Sequence, residues 1–189
     1  IGTQSLYANT TGSNNVANGT GALSFNTTGS NNIAVGAYTL GANTTGQENV
    51  SMGGLNYNTI GNYNTAVGQN SLAGYGAFGG PVTGSGNSSV GYYSSYSNLS
   101  GSNNVALGNT ALYSNVSGSF NTALGTEAGY NQTSGNGNIV IGASQDLANL
   151  AGSNQLNIGG AIFGTGLTGT VGAPAGNIGI GTATPAYKL

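Results

Sequence analysis

The sequence predicts an all-β fold, a parallel β-solenoid of about eleven coils of seventeen residues each. A phrase of large, small and large residues closed by glycine recurs along the chain, and seven of its ten spacings are seventeen residues, as between Gly108 and Gly125. From the second occurrence onward, an Asn or once a Gln directly precedes the phrase. A unit this short cannot bury its own apolar face, so successive units must stack as coils.

Each repeat is predicted to contain a three-residue strand. In "NNVALG" the residues Val105, Ala106 and Leu107 alternate with period two, which is typical of a strand. The large residues are predicted to stack in the core, as in Leu107 and Leu124. The small middle residue permits close approach of another chain, which predicts packing between the chains of a parallel homotrimer. This column contains Ala17, Ala34, Ala66, Ala106 and Ala123.

The residues that precede the strands predict a ladder of side-chain amides. Identical Asn side chains stacked at each coil can hydrogen-bond to one another. The ladder comprises Asn15, Asn32, Asn49, Asn64, Asn87, Asn104, Asn121 and Asn138. A glycine stands three residues before most of them, and we expect it to supply a positive φ for a turn.

A second strand is predicted after the glycine that closes each phrase. An apolar residue follows that glycine by four positions in many repeats, as in Leu23, Leu40 and Tyr57. A second Asn column, which includes Asn26 and Asn115, then begins a turn. One repeat is therefore predicted to consist of a strand, a glycine corner, a second strand and an Asn/Gly turn.

Departures from the period predict the domain boundary and the candidate binding residues. Residues 1–160 form the solenoid, and residues 161–189 form a C-terminal cap or neck beyond which the chain is expected to continue. The repeat between Gly68 and Gly91 is six residues longer than the regular repeat of seventeen, which predicts a protruding loop. Aromatic residues in and beside that loop are the candidate surface-binding residues. They are Tyr75, Phe78, Tyr92, Tyr93 and Tyr96.

The composition excludes several function classes. The chain has one Lys, no Arg and three acidic residues, so it has no basic groove for nucleic acid. It has no run of about 18 apolar residues, so no membrane insertion by this segment is expected. It has no His or Cys, and its three carboxylates are spread over different coils. We therefore expect no catalytic site, no cofactor and no metal.

The phrases "NNIAVG", "NNVALG", "FNTALG" and "NTAVGQNSLA" resemble the head repeats of YadA-like trimeric autotransporter adhesins and of repeat-rich phage tail fibres. The resemblance covers about residues 1–160, although that family's units are shorter, so the coil geometry is in question. The C-terminal "GNIGIGTATPAYKL" is similar to the junction before the intramolecular chaperone of tail fibres. The resemblance implies a left-handed, trimeric β-roll on a cell or virion surface, used in attachment.

The predicted function is that of a non-catalytic fibre module for attachment, located outside the cell, on the cell surface or on a virion. Its expected partners are two further copies of itself and a host-surface glycan or protein receptor. One alternative is a structural filament subunit of an extracellular matrix or appendage. Another is an ice-binding β-solenoid, which needs a regular threonine array. The column that would have to form such an array is only partly Thr, which argues against ice binding: Thr11, Thr28, Thr45, Ile60, Thr83, Ser100, Ser117, Ser134 and Ala151.

Overall fold

The computed structural model describes residues 2–74, 80–168 and 175–186, and those residues contain eleven strands and no helix. The strands are β1 (Val16–Asn18), β2 (Ile33–Val35), β3 (Val50–Met52), β4 (Thr65–Val67), β5 (Ser88–Val90), β6 (Val105–Leu107), β7 (Thr122–Leu124), β8 (Ile139–Ile141), β9 (Leu156–Ile158), β10 (Ile162–Thr165) and β11 (Asn177–Ile180). All eleven belong to one sheet, in chain order. The prediction of an all-β fold is confirmed.

Strands β1 to β9 are parallel, and each of β1 to β8 pairs with the strand one repeat later. Equivalent residues face each other, so that Val105 pairs with Thr122 and Ala106 pairs with Ala123. The repeat length in the sequence is thus the length of one coil. The predicted parallel β-solenoid is confirmed, with about eight turns.

The last two strands do not form coils, which is why there are fewer turns than the eleven predicted. Strand β10 runs antiparallel to β9, and β11 runs antiparallel to β10. Gly159 and Gly160 lie between β9 and β10 with φ of 60° and 68°, and the N–H of Ala161 donates to the carbonyl oxygen of Ile158 at 3.1 Å. Two central residues with positive φ make a tight hairpin turn, and Gly-Gly is one of its strongest signals. This hairpin lies in and beside the predicted cap or neck.

The segment after each closing glycine is a chain of turns, so the prediction of a second strand there is wrong. Alternate residues adopt left-handed backbone, as in Tyr38 and Leu40 with φ of 57° and 51°. The backbone still bonds from coil to coil, because the N–H of Leu23 donates to the carbonyl oxygen of Thr39 at 3.1 Å. A left-handed leucine costs roughly 1–2 kcal/mol, and burying its side chain offsets that with about 2 kcal/mol.

The small column faces the interior of its own chain, which corrects the prediction of packing between chains. Ala34, Ala66, Ala106 and Ala123 are fully buried, and Ala17 packs against the same core at the first coil. The leucines of the turn segment reach them from the opposite side of the coil, and these are Leu23, Leu40, Leu55, Leu72 and Leu112. The interior therefore has room for only a small side chain from the strand.

The large residues of each strand face outward, so the prediction that Leu107 and Leu124 stack in the core is also wrong. Leu107 is 50% exposed, and Leu124 is half-buried. The short fourth repeat brings Leu55 rather than Tyr57 into the core, because two residues are missing from its turn segment. Tyr57 is instead 42% exposed.

In one coil a smaller side chain in the turn segment is compensated by a larger side chain in the strand that faces it. Gly129 occupies the position that leucine has in other coils, four residues after the closing glycine. Val140 replaces the usual alanine of the next strand and is fully buried. A Cβ built on Gly129 would lie 3.7 Å from a methyl of Val140, so the valine fills space that a leucine would take.

The predicted amide ladder is confirmed. The side-chain Oδ1 of Asn104 accepts from the backbone N–H and the Nδ2 of Asn121, at 3.0 and 3.1 Å. The Nδ2 of Asn104 donates to Asn87 Oδ1 at 3.1 Å and to the carbonyl oxygen of Gly118 at 2.8 Å. Each buried amide therefore fastens its coil to both neighbours. The ladder ends at Gln155, whose longer side chain bonds to the backbone of Asn149.

The second Asn column forms another ladder at the opposite corner. Asn43 Nδ2 donates to Asn26 Oδ1 at 2.7 Å, and Asn58 Nδ2 donates to Asn43 Oδ1 at 2.8 Å. In the next coil Pro81 stands where the other coils have Asn, three residues before the glycine, and Val82, which pairs with Asn58 through the backbone, is fully buried. The ladder resumes at Asn98. This interruption leaves the buried Oδ1 of Asn58 without a hydrogen-bond partner.

Nine glycines lie between the two ladders, and none of them has a left-handed φ, contrary to our expectation. They are Gly12, Gly29, Gly46, Gly61, Gly84, Gly101, Gly118, Gly135 and Gly152. Left-handed φ occurs two residues later, as in Asn103 with 58°. Glycine is required here because the ladder amides and the carbonyl oxygen of the next coil occupy the space of a Cβ.

We predict that Val82→Asn is more stable than Val82→Ala. The new amide can donate to Asn58 Oδ1, and one such hydrogen bond contributes about 1 kcal/mol. Val82→Ala only removes buried methyl groups, at a cost of about 2 kcal/mol. The free energy of unfolding, measured in denaturant for both variants, tests this. Equal stability of the two variants would show that the interruption of the ladder carries no penalty.

Candidate binding surface

The structure brings three of the predicted surface-binding residues together. The rings of Tyr92 and Tyr93 meet edge to face with centroids 4.2 Å apart, and those of Tyr93 and Tyr96 do so at 4.6 Å. Tyr75 and Phe78 lie outside the described residues. The role of all five in binding stays a prediction.

Two further tyrosines extend this cluster, and the sequence interpretation missed them. Tyr96, Tyr113 and Tyr130 follow one another at intervals of one full repeat, each five residues after a closing glycine. Their rings stack with centroid distances of 5.2 and 4.9 Å and interplanar angles of 16° and 6°. The repeat spacing itself was the signal, because residues one period apart lie on neighbouring coils.

The backbone holds these rings at the coil spacing. The N–H of Ser97 donates to the carbonyl oxygen of Tyr113 at 3.0 Å, and the N–H of Ser114 donates to that of Tyr130 at 3.1 Å. Neighbouring strands lie about 4.8 Å apart, which is close to the ring separations. Tyr113 has a ring stacked on each of its faces, so it presents its edge and hydroxyl, rather than a ring face, to a ligand.

Two phenols of the tyrosine cluster have a raised pKa. Burial, followed by the nearby phenols of Tyr130 and Tyr93, raises the pKa of Tyr113 above its usual value. A hydrogen bond with the Tyr93 side chain, followed by smaller contributions from burial and neighbouring phenols, raises the pKa of Tyr92. Both shifts favour the protonated, uncharged form of Tyr92 and Tyr113.

Two carboxylates line a shallow cavity of about 260 Å³ beside Tyr130. Glu127 accepts a hydrogen bond from Ser144 Oγ at 2.8 Å. Asp146 accepts from the Nδ2 of Asn131 at 2.7 Å and from its backbone N–H at 3.2 Å. Each carboxylate is thus oriented by a neighbouring coil. No group of three or more metal-ligating side chains occurs among the described residues.

A wider depression of about 370 Å³ lies on the same turn side, over the second to fourth coils. Its lining includes Phe25, Tyr38 and Asn56. An adjoining depression of about 230 Å³ shares Asn56 and extends to Tyr93. Neither lining contains a charged side chain.

The outward side of strands β1 to β9 forms an apolar face, which we call the outer sheet face. Each strand directs its first and third side chains outward, and fourteen of these eighteen positions are Val, Ile, Leu or Met. Val105 and Leu107 are 40% and 50% exposed. The other four positions are Asn18, Thr65, Ser88 and Thr122, so the face carries no charge.

The threonines considered for ice binding form a single exposed column. Thr28 is exposed, but the neighbouring Thr27 is half-buried, and its hydroxyl donates to the carbonyl oxygen of Thr44 at 3.0 Å. The exposed column changes to Ile, Ser and Ala in later coils. Ice binding stays an alternative that a thermal hysteresis assay would test.

Comparison with known proteins identifies no relative of this chain. In the part of the chain that the structure describes, no helix is long and apolar enough to cross a membrane. The chain matches no protein-family model, no curated protein and no solved structure.

Proposed function

We propose that this protein is a non-catalytic module of an extracellular or virion-surface fibre, used in attachment, and that it assembles as a parallel homotrimer. The observation that carries the proposal is the outer sheet face, an uncharged apolar surface that continues over nine stacked strands. Large contiguous apolar surfaces on soluble proteins mark interaction sites.

Further copies of this chain are the occupants that fit the face best. Parallel copies would present the same rows of side chains at the same spacing of about 4.8 Å, so rows from different chains can interdigitate along the whole rod. A closed ring of three copies covers every outer sheet face, as point-group symmetry favours. The proposed contact therefore uses Val105 and Leu107, and not the buried Ala106.

The composition supports the role of a passive fibre. With four charged side chains in 189 residues, the protein has few groups that titrate or respond to salt. The two amide ladders connect the coils through hydrogen bonds between neutral groups. Such a rod suits an exposed position outside the cell.

Light scattering coupled to size-exclusion chromatography tests the assembly. We expect the wild-type protein to have three times the chain mass of 18.4 kDa. Leu107→Lys should dissociate it into folded single chains, because Leu107 is half exposed in the single chain and the substitution places a charge in the interface. Phe120→Lys is the matched control, since Phe120 is 66% exposed but precedes strand β7 and is not one of the outward strand positions that define the outer sheet face.

Two results would contradict the proposed assembly. One is a wild-type protein that is a stable folded monomer. The other is equal dissociation of the Leu107 and Phe120 variants, which would show that the outer sheet face has no special part. The attachment role is tested separately, by adhesion of the labelled wild-type protein to intact cells from the habitat of its source.

A further inference from the structure

The geometry points to a binding site for a neutral saccharide in the depression over the second to fourth coils. This inference rests on the proposed attachment function and names the ligand class for it. The site is distinct from the outer sheet face, because it lies on the turn side of the coils. Its lining residues are Ser24, Phe25, Tyr38, Gly41, Ala42, Asn56 and Tyr57.

The depression arises from small residues and a short coil. Gly41 and Tyr113 each stand five residues after a closing glycine, so glycine takes here the place of a stacked tyrosine. The next repeat is two residues shorter than the regular one, and the missing residues come from its turn segment. The surface is therefore lower here than in the coils that carry the tyrosine stack.

Aromatic side chains stand beside this depression in unusually exposed positions. Phe25 is 65% exposed and Tyr38 is 63% exposed. Exposed aromatic rings are typical of recognition surfaces, and Tyr38 adds a polar hydroxyl to its apolar ring. One face of a pyranose ring carries C–H groups and is apolar, so it can pack against the flat face of an aromatic ring.

A hydrogen-bond acceptor at the depression has no partner within the protein. The side-chain Oδ1 of Asn56 is buried and accepts no hydrogen bond. Buried polar atoms are nearly always satisfied, and an unsatisfied one in a native fold needs an explanation. Rotation of the Asn56 side chain toward the depression would bring this oxygen within reach of a ligand hydroxyl, which would supply the missing bond.

The absence of charged side chains from the lining indicates the class of ligand. The lining contains no cation to hold a phosphate, sulfate or sialic acid, and no carboxylate to hold a cation. A purely apolar ligand would leave Asn56 Oδ1 unsatisfied. A neutral sugar satisfies both requirements, since one ring offers an apolar face and several hydroxyl donors.

The test is binding of maltohexaose, cellohexaose and chitohexaose, measured by saturation-transfer NMR and titration calorimetry on the full chain. We expect at least one of them to bind. Tyr38→Ala and Asn56→Ala should each weaken that binding by about tenfold or more. Tyr63→Ala is the matched control, because Tyr63 is 62% exposed with φ of 58°, against 63% and 57° for Tyr38. It should change affinity less than about twofold.

A loss of binding in the Asn56→Ala variant cannot be attributed to unfolding. Asn56 Oδ1 makes no hydrogen bond in the protein, so Asn56→Ala should unfold no earlier than wild type in a thermal melt. No binding of any of the three sugars, or equal losses in the Tyr38 and Tyr63 variants, would overturn the inference. Binding of a random-sequence peptide library in place of the sugars would also overturn it.

The two proposals fail in different ways. A trimer that adheres to cells equally well with and without Asn56→Ala would overturn the saccharide site and leave the attachment function standing. A protein that binds a hexasaccharide through Tyr38 and Asn56 but adheres to no cells would overturn the attachment function and support the site.

Discussion

Asn104→Ala is expected to lower the free energy of unfolding by about 4 kcal/mol, a large part of the stability of an ordinary domain. The amide of Asn104 takes part in hydrogen bonds to Asn87, Gly118 and Asn121. Its removal leaves the Asn121 backbone N–H without a partner in the interior, whereas the Gly118 carbonyl oxygen keeps the hydrogen bond from Asn115 Nδ2 at 2.9 Å. The unsatisfied N–H costs about 1–3 kcal/mol, and the other lost hydrogen bonds contribute about 1 kcal/mol each.

Denaturant unfolding followed by circular dichroism measures this effect. Asn109→Ala is the matched control, because Asn109 is an exposed asparagine of the next turn, and it should change stability by less than about 0.5 kcal/mol. If both variants unfold at the same denaturant concentration as wild type, the ladder does not hold the coils together.

Gly101→Ala is expected to destabilise the fold by about 3 kcal/mol or more, although its backbone conformation suits any residue. A Cβ at this position would overlap the Gly118 carbonyl oxygen and the Asn98 Oδ1, and it would lie 3.0 Å from Asn104 Nδ2. The two ladders and the next coil would all have to move. Since the coils repeat one geometry, this strain cannot be relieved by shifting a single loop.

The Gly159→Ala variant distinguishes the energetic cost of crowding at a glycine from the cost of its backbone conformation. Gly159 has φ of 60° and nothing within 4 Å of a built Cβ, so its substitution should cost only the left-handed conformation, about 1 kcal/mol. Thermal melts of both variants make the comparison. A smaller loss for Gly101→Ala than for Gly159→Ala would contradict the view that crowding between the ladders requires glycine.

The repeat length, the ladder and the parallel sheet could be predicted because they depend on relations between identical residues. A constant spacing places equivalent residues on neighbouring coils whatever the cross-section of the coil is. The same reasoning would have found the stack of Tyr96, Tyr113 and Tyr130, and the hairpin at Gly159 and Gly160 had its own local signal.

The candidate saccharide site could not be predicted in this way. Phe25, Tyr38 and Asn56 occupy three different positions in their repeats, so no period connects them. They meet because Gly41 and a two-residue deletion lower the surface between them. That juxtaposition depends on the path of the turn segment, for which the sequence pattern predicts a second strand instead.

The sequence by itself determined that this chain is a solenoid, since a short repeating unit with one buried amide per coil has to stack. It left open which side of each strand faces inward, because Val105, Ala106 and Leu107 are all apolar and period two does not assign a side. The tertiary structure decided this. The leucines of the turn segment fill the interior, and a small side chain such as alanine or serine fits opposite them. The large residues consequently lie outside, on the face that we propose other chains cover.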